Sequence, residues 1–168
     1  MEARDVSSPF QTGGLNKSHK QDLAGDLKGK EMKINSEPRL MRHAPYFLVE
    51  DVESTGEFYT NVLGFELDYI AGDPAEFVIY SRDALSVMFR RKPESEEILP
   101  NEMRGGMWDL FFWVENLEVL FDEFKANQVQ IVYGPIYQEA YRMDEFAIRD
   151  LNGYVLGFGE SRYRRMSV

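Results

Sequence analysis

The chain has 168 residues, of which 43 % are hydrophobic, and it carries a net charge of −10 with no cysteine. This length allows one domain, or two small halves that pack together. The negative charge argues against nucleic acid as a partner, and the lack of cysteine excludes disulfides, thiolate metal sites and cysteine nucleophiles. Because the sequence contains no run of about 18 apolar residues, we expect no membrane span and a cytoplasmic protein.

The two ends of the chain differ in composition from the rest. Phe10 is the only aromatic residue before position 41, although the chain contains 12 Phe, 9 Tyr and 2 Trp. Such a polar segment cannot bury much apolar surface, so residues 1–40 are predicted to form a flexible leader. Residues 161–168 are predicted to form a basic tail. The folded part is therefore expected to comprise residues 41–103 and 104–160.

The first half begins with a predicted strand, the β-favouring sequence YFLV that follows Pro45. Apolar residues then recur at helical spacing from Asp51 to Leu63, and Gly64 is suited to end that helix. Three more strands are predicted in FELDYIAG, EFVIYSR and ALSVMFRRK, because turn residues separate these runs. The order of elements is therefore βαβββ.

The second half repeats this order. VEDVE at Val49–Glu53 returns as VENLE at Val114–Glu118, which gives a repeat of 65 residues. MWDLFFWV is a predicted strand, Asn116–Asn127 a predicted helix, and VQIVYGP, RMDEFAIRD and YVLGFGE are predicted strands. The polar sequence KPESEEILPNEMRGG connects the halves. The predicted fold class is α+β, built from two βαβββ modules at 41–103 and 104–160.

Two segments carry a family resemblance. VEDVESTGEFYTNVLGFE resembles the opening of the vicinal oxygen chelate superfamily, which includes glyoxalase I, bleomycin-resistance proteins and extradiol dioxygenases, and FAIRDLNGYVLGFGE resembles its closing hairpin. The likeness covers about residues 42–160. It implies that the strands of both modules curl as a mixed sheet around a cup-shaped cavity, and that the protein is a homodimer.

Strand alternation predicts which side chains face this cup, because successive residues of a strand point to opposite sides. Uniformly apolar sets belong against the helices, and mixed sets face the cup. The predicted ligand-binding residues are Tyr46, Ser86, Met88, Arg90, Asp109, Phe111 and Trp113. Trp108 is expected to face away from Asp109, unless the strand begins later than the predicted run MWDLFFWV. An aromatic pocket with few polar groups is typical of sites for small molecules, here an aromatic or cationic compound. Alternatively, these side chains fill the cup or meet a second subunit.

Asp109 is the carboxylate of this predicted cup, and its residue type allows three roles. It could be an acid–base group, an anchor for the cationic part of a ligand, or a hydrogen-bond acceptor for Arg90 across the cup. The sequence leaves these three roles open.

The resemblance also implies where a metal-dependent member would keep its ligands, one on the cup side of each of four strands. These positions hold Ala44, Met88, Asp109 and Gly157. One carboxylate is too few donors for a divalent ion, so we expect no metal and no other cofactor. A register slip of one residue would turn His43 inward beside Asp109, which makes these two the weak candidates for metal ligands.

These features favour a metal-independent protein that binds and sequesters a small molecule, similar to the bleomycin-resistance branch and its antibiotic-resistance function. The sequence contains no phosphate-binding loop and, outside the predicted leader, no histidine close to a candidate serine nucleophile. One alternative is a glyoxalase-type lyase or isomerase, or a dioxygenase, with an atypical metal-ligand set. Another is an interaction module whose cup is filled by its own side chains.

Overall fold

The computed structural model describes Pro38 and residues 40–162. Most of the predicted leader, residues 1–40, and most of the predicted basic tail, residues 161–168, lie outside these described residues. Within them, no helix is both long enough and apolar enough to cross a membrane.

The first module contains four strands and one helix in the predicted order. They are β1 (Tyr46–Val49), α1 (Val52–Asn61), β2 (Glu66–Ala71), β3 (Phe77–Arg82) and β4 (Leu85–Arg91). The sheet order is β1-β4-β3-β2, in which β1 is parallel to β4 and the other neighbours are antiparallel. The helix begins after Asp51, whose carboxylate accepts a hydrogen bond from the Ser54 N–H at 2.7 Å.

The second module repeats this arrangement after a connector that contains a short 3₁₀ helix, Asn101–Arg104. Its elements are β5 (Leu110–Trp113), α2 (Leu117–Ala126), β6 (Gln130–Gln138), β7 (Met143–Arg149) and β8 (Val155–Ser161). The sheet order β5-β8-β7-β6 has the same parallel pair at one edge. Two four-stranded mixed sheets with one helix each confirm the α+β class and the two βαβββ modules.

The 65-residue repeat is also visible in the strand pairing. Tyr46 in β1 lies opposite Met88 in β4. Phe111, 65 positions after Tyr46, lies opposite Gly157 in β8. Met88 and Gly157 therefore occupy equivalent places in their sheets.

Each helix covers one face of its own sheet. In the first module, Val87 and Phe89 of β4 are fully buried in the core on the side of α1. In the second, the rings of Phe146 and Phe158 stack at 5.0 Å, and the ring of Phe124 in α2 packs edge-on against Phe158 at 5.3 Å. Burying such a side chain contributes roughly 2–3 kcal/mol, so these rings hold the helices in place. We call the opposite sides of the sheets the first and second open faces.

The two modules meet at a buried polar junction. The Tyr59 hydroxyl of α1 donates a hydrogen bond to Asp150, in the turn before β8, at 3.2 Å. The Tyr154 hydroxyl donates to the Leu48 carbonyl of β1 at 2.7 Å. Asp150 also accepts two backbone N–H groups from its own turn. Burial raises the pKa of Asp150 to about 6, and the nearby carboxylate of Asp109 acts in the same direction.

Candidate functional site

Four of the predicted ligand-binding residues lie on the first open face. Ser86, Met88 and Arg90 alternate along β4 with fully buried core residues, so they point away from α1. Tyr46 lies opposite Met88 on β1, and 50 % of its surface is exposed. The structure therefore places these four side chains on one sheet face, as strand alternation predicts.

The second open face carries three aromatic rings in a row. The ring centroids of Phe111 and Trp113 are 5.3 Å apart, and Trp113 is 71 % exposed. Trp108 does not face away, contrary to the prediction: its ring packs against Phe111 at 4.6 Å. Strand alternation fails here because β5 begins only at Leu110. We call Trp108, Phe111 and Trp113 the three-ring face.

Gly157 makes room for this three-ring face. A Cβ atom on Gly157 would lie 2.5 Å from Cδ2 of Phe111 and 2.8 Å from Cδ1 of Trp108. A Cβ on Gly159 would lie 2.6 Å from Cζ of Phe111. Real Cβ atoms do not approach other heavy atoms so closely. Aromatic rings therefore fill the space into which a side chain at position 157 would project.

Asp109 is held by backbone groups. Its carboxylate oxygens accept the N–H of Asn101 and the N–H of Val155, each at 2.8 Å. The predicted hydrogen bond from Arg90 is not found among the described residues. Asp109 thus ties the connector and the start of β8 to the start of β5, and each of its two oxygens already has a donor.

Replacing Asp109 by alanine is expected to destabilise the protein by about 2 kcal/mol, because two backbone N–H groups lose a charged acceptor. Chemical denaturation measures this change in the free energy of unfolding. Asp109→Asn, which keeps one carbonyl oxygen, is the matched control and is expected to cost about half as much. An alanine variant of unchanged stability would contradict this structural role.

The predicted ligand-binding residues thus form two groups, one on each sheet. Among the described residues, no hydrogen bond, ion pair or ring contact links the four on the first open face to Asp109, Phe111 or Trp113. Each group lies together on its own sheet, and the structure does not bring the two groups together.

Sequence reasoning missed Glu145, a carboxylate in the middle of β7 that is 0 % exposed. Its neighbour Phe146 points toward α2, so Glu145 lies on the second open face. Oε1 accepts hydrogen bonds from the Tyr133 hydroxyl and the Gln138 amide, both at 3.0 Å. Oε2 accepts one from the Tyr141 hydroxyl at 2.8 Å. The carboxylate is therefore bound entirely by neutral donors of its own module.

The hydrogen bonds continue from Glu145 to the three-ring face. The indole N–H of Trp108 donates to the Tyr133 hydroxyl at 2.8 Å, and that hydroxyl donates to Glu145. Burial, together with the hydrogen bond to Glu145, raises the pKa of Tyr141 to about 12 and that of Tyr133 further. The sequence signal that could have revealed this network is the glutamate of RMDEFAIRD, an acidic residue in the middle of a strand that is otherwise rich in apolar residues.

The four positions at which the resemblance places metal ligands do not suit a metal ion. Ala44 and Gly157 have no donor atom, Met88 offers only a thioether, and both oxygens of Asp109 accept backbone N–H groups. His43 is exposed and precedes β1. In the described part of the chain, no three His, Asp or Glu side chains are grouped so that they could hold a metal ion.

A cavity of about 560 Å³ lies between the β3–β4 turn and α2, next to Trp113 of the three-ring face. Phe65 and Phe112 are among its lining residues, as is Arg82, which pairs with Glu123 at 3.2 Å. Its volume suits a small ligand. Of the predicted ligand-binding residues, only Trp113 borders it.

Comparisons with solved structures show the same fold in several proteins. An integron cassette protein from the mobile metagenome of the Halifax Harbour sewage outfall is 22 % identical, with a TM-score of 0.57 over 71 % of this chain and 97 % of that one. TioX from Micromonospora sp. ML1 is 17 % identical, with a TM-score of 0.59 over 71 % and 98 %. Lactoylglutathione lyase from Agrobacterium tumefaciens is 16 % identical, with a TM-score of 0.56 over 74 % and 96 %.

The family assignment comes from the sequence itself. No curated protein sequence gives a significant match. The family model described as Glyoxalase/Bleomycin resistance protein/Dioxygenase superfamily matches residues 41–158, which include both βαβββ modules apart from the last three residues of β8. The chain therefore belongs to the glyoxalase/bleomycin resistance protein/dioxygenase superfamily.

Proposed function

We propose that this protein binds a small aromatic or cationic compound without a metal ion and sequesters it, as a bleomycin-resistance-like member of its superfamily. The observation that carries the proposal is the packing at Gly157, where the rings of Phe111 and Trp108 fill the space expected of a metal ligand. The site then offers π faces, which bind flat apolar or cationic groups, in place of donors that bind a metal.

The aromatic side chains exposed on the two open faces support ligand binding, because a cup filled by its own side chains would bury them. Tyr46 is 50 % exposed and Trp113 is 71 % exposed, although both are large aromatic residues. Exposed aromatic patches of this kind mark sites for ligands or partners. We propose that both open faces take part in a homodimer, so that the ligand lies between the first open face of one subunit and the second open face of its partner.

A thermal-shift screen tests the proposed function. An aromatic ligand present at about 100 times its dissociation constant is expected to stabilise the protein by about 2.7 kcal/mol, which raises the melting temperature by roughly 5–10 °C. Ni²⁺, Zn²⁺, Fe²⁺ and Mn²⁺ form the parallel arm and are expected to give no shift. Trp113→Ala should reduce the shift, whereas Leu151→Ala, an exposed apolar control outside both faces, should not.

Stabilisation by a metal ion, with none by aromatic compounds, would contradict this function. It would favour the alternative, a glyoxalase-type lyase or a dioxygenase that holds its metal through Asp109 and His43. Metal analysis of protein purified without chelators would then identify the ion.

A further inference from the structure

Glu145 is a buried carboxylate to which no cationic side chain is bound in the described part of the chain. None of the ion pairs in the described part of the chain includes it. Its three hydrogen-bond donors are two phenols and an amide. Burying a carboxylate costs several kcal/mol unless hydrogen bonds or an opposite charge compensate. The three donors satisfy its oxygen atoms but bring no positive charge.

This carboxylate lies next to the three-ring face. Glu145 is opposite Gly159 in the strand pairing, and the ring of Phe111 passes over Gly159. The Tyr133 hydroxyl connects Glu145 to the indole N–H of Trp108. Two of the three rings are therefore in contact with the immediate surroundings of the carboxylate, while Trp113 is exposed to an approaching ligand.

We propose that a planar aromatic cation stacks on one ring of the three-ring face, and that Glu145 makes this face prefer the cation over a neutral ring of the same shape. Only one ring can lie flat against the cation, because the ring planes differ by 56° between Trp108 and Phe111 and by 70° between Phe111 and Trp113. The inference rests on the proposed function and specifies its ligand class. Glu145 acts in two ways. Its charge attracts a cation through the poorly polarisable interior, where electrostatic attraction is stronger than in water. Its hydrogen bonds through Tyr133 also fix the orientation of the Trp108 ring, whose face attracts cations.

Glu145 is a specificity-determining residue in this proposal and not a contact residue. Its side chain is fully buried, so the ligand contacts the rings and not the carboxylate. The carboxylate acts on the ligand only through electrostatic attraction. Asp109 supplies this charge less effectively, because it lies within electrostatic range of the Arg149 guanidinium. The preference for a cation should therefore depend on Glu145.

Calorimetric titration with two matched probes tests the proposal. N-methylacridinium is a planar cation, and acridine is its neutral counterpart at mildly alkaline pH. The wild-type protein is expected to bind N-methylacridinium about tenfold more tightly than acridine. Glu145→Gln should remove most of this preference by weakening cation binding about tenfold, while acridine binding changes by less than about twofold.

Two further variants separate charge from ring orientation. Glu139→Gln makes the same charge change at an exposed position in the turn before β7, and it should leave both affinities within about twofold. Tyr133→Phe removes the hydroxyl between Trp108 and Glu145 but keeps the carboxylate. It should weaken both probes while the cation remains preferred.

The outcomes are distinguishable. Equal binding of the two probes to the wild-type protein overturns this inference and leaves the proposed function standing. An equal effect of Glu139→Gln and Glu145→Gln also overturns it. If Glu145→Gln does not fold, the preference of the wild-type protein and the result for Tyr133→Phe decide whether the inference holds. If neither probe binds but another aromatic compound stabilises the protein, the inference fails, whereas the lack of any aromatic ligand refutes the proposed function itself.

Discussion

Replacing Gly157 by glutamate is expected to destabilise the protein by about 3 kcal/mol or more and to create no metal site. The new Cβ would lie 2.5 Å from the ring of Phe111 and 2.8 Å from that of Trp108, so both rings would have to move. Since Trp108 also donates a hydrogen bond to Tyr133, the displacement would extend to the network around Glu145. Thermal unfolding should show a melting temperature lower by roughly 10 °C.

Met88→Glu is the matched control for this substitution. Met88 occupies the place in the first sheet that Gly157 occupies in the second, but its side chain already projects from the half-buried open face. The cost is therefore expected to be only about 1 kcal/mol. A Gly157→Glu variant that keeps wild-type stability and is stabilised by Zn²⁺ would show that the rings do not block the metal position.

The Asp150→Asn variant is expected to become more stable relative to the wild type as pH rises. Because the folded protein raises the pKa of Asp150 from 3.8 to about 6, its favourable contribution is fully present below the unfolded pKa and is lost as pH rises through about 6. The difference between the two proteins should change by on the order of 2–3 kcal/mol from acidic to neutral pH. Urea denaturation at several pH values measures it.

Asp144→Asn provides a control of opposite sign. The pKa of Asp144 is lowered by its hydrogen bonds and ion pair with Arg162, so its contribution is present above the unfolded pKa and is lost as pH falls through the folded pKa. Its effect should be smaller because the pair is partly exposed. If Asp150→Asn follows the wild-type pH profile while Asp144→Asn departs from it, Asp150 does not titrate as its burial requires.

The repeat and the hydrophobic pattern of the sequence predicted the architecture. Alternation along β4 correctly placed Met88 and Arg90 on the face opposite the core, because a regular strand leaves no other choice. The turn at Asp150 correctly separated the last two strands. These features depend on local geometry, which the sequence expresses directly.

The candidate site was less predictable, because it depends on where strands start and on which partners side chains find. Trp108 joined the three-ring face since β5 starts at Leu110, two residues after it. Asp109 accepts hydrogen bonds from two backbone N–H groups, one of which belongs to a residue 46 positions away in the chain. Glu145 accepts hydrogen bonds from side chains of β6 and of the turn that follows it. No spacing rule foresees such partners, because each depends on how separate segments pack.

The positions of Trp108 and Trp113 have a practical consequence. They are the only two tryptophans of the 168-residue chain, and both belong to the three-ring face. The intrinsic tryptophan fluorescence of the protein therefore originates from this one surface, with one indole hydrogen-bonded to a phenol and the other exposed. A shift in emission wavelength or quenching on adding a compound would report binding at this surface directly. Binding can therefore be followed without an attached fluorophore.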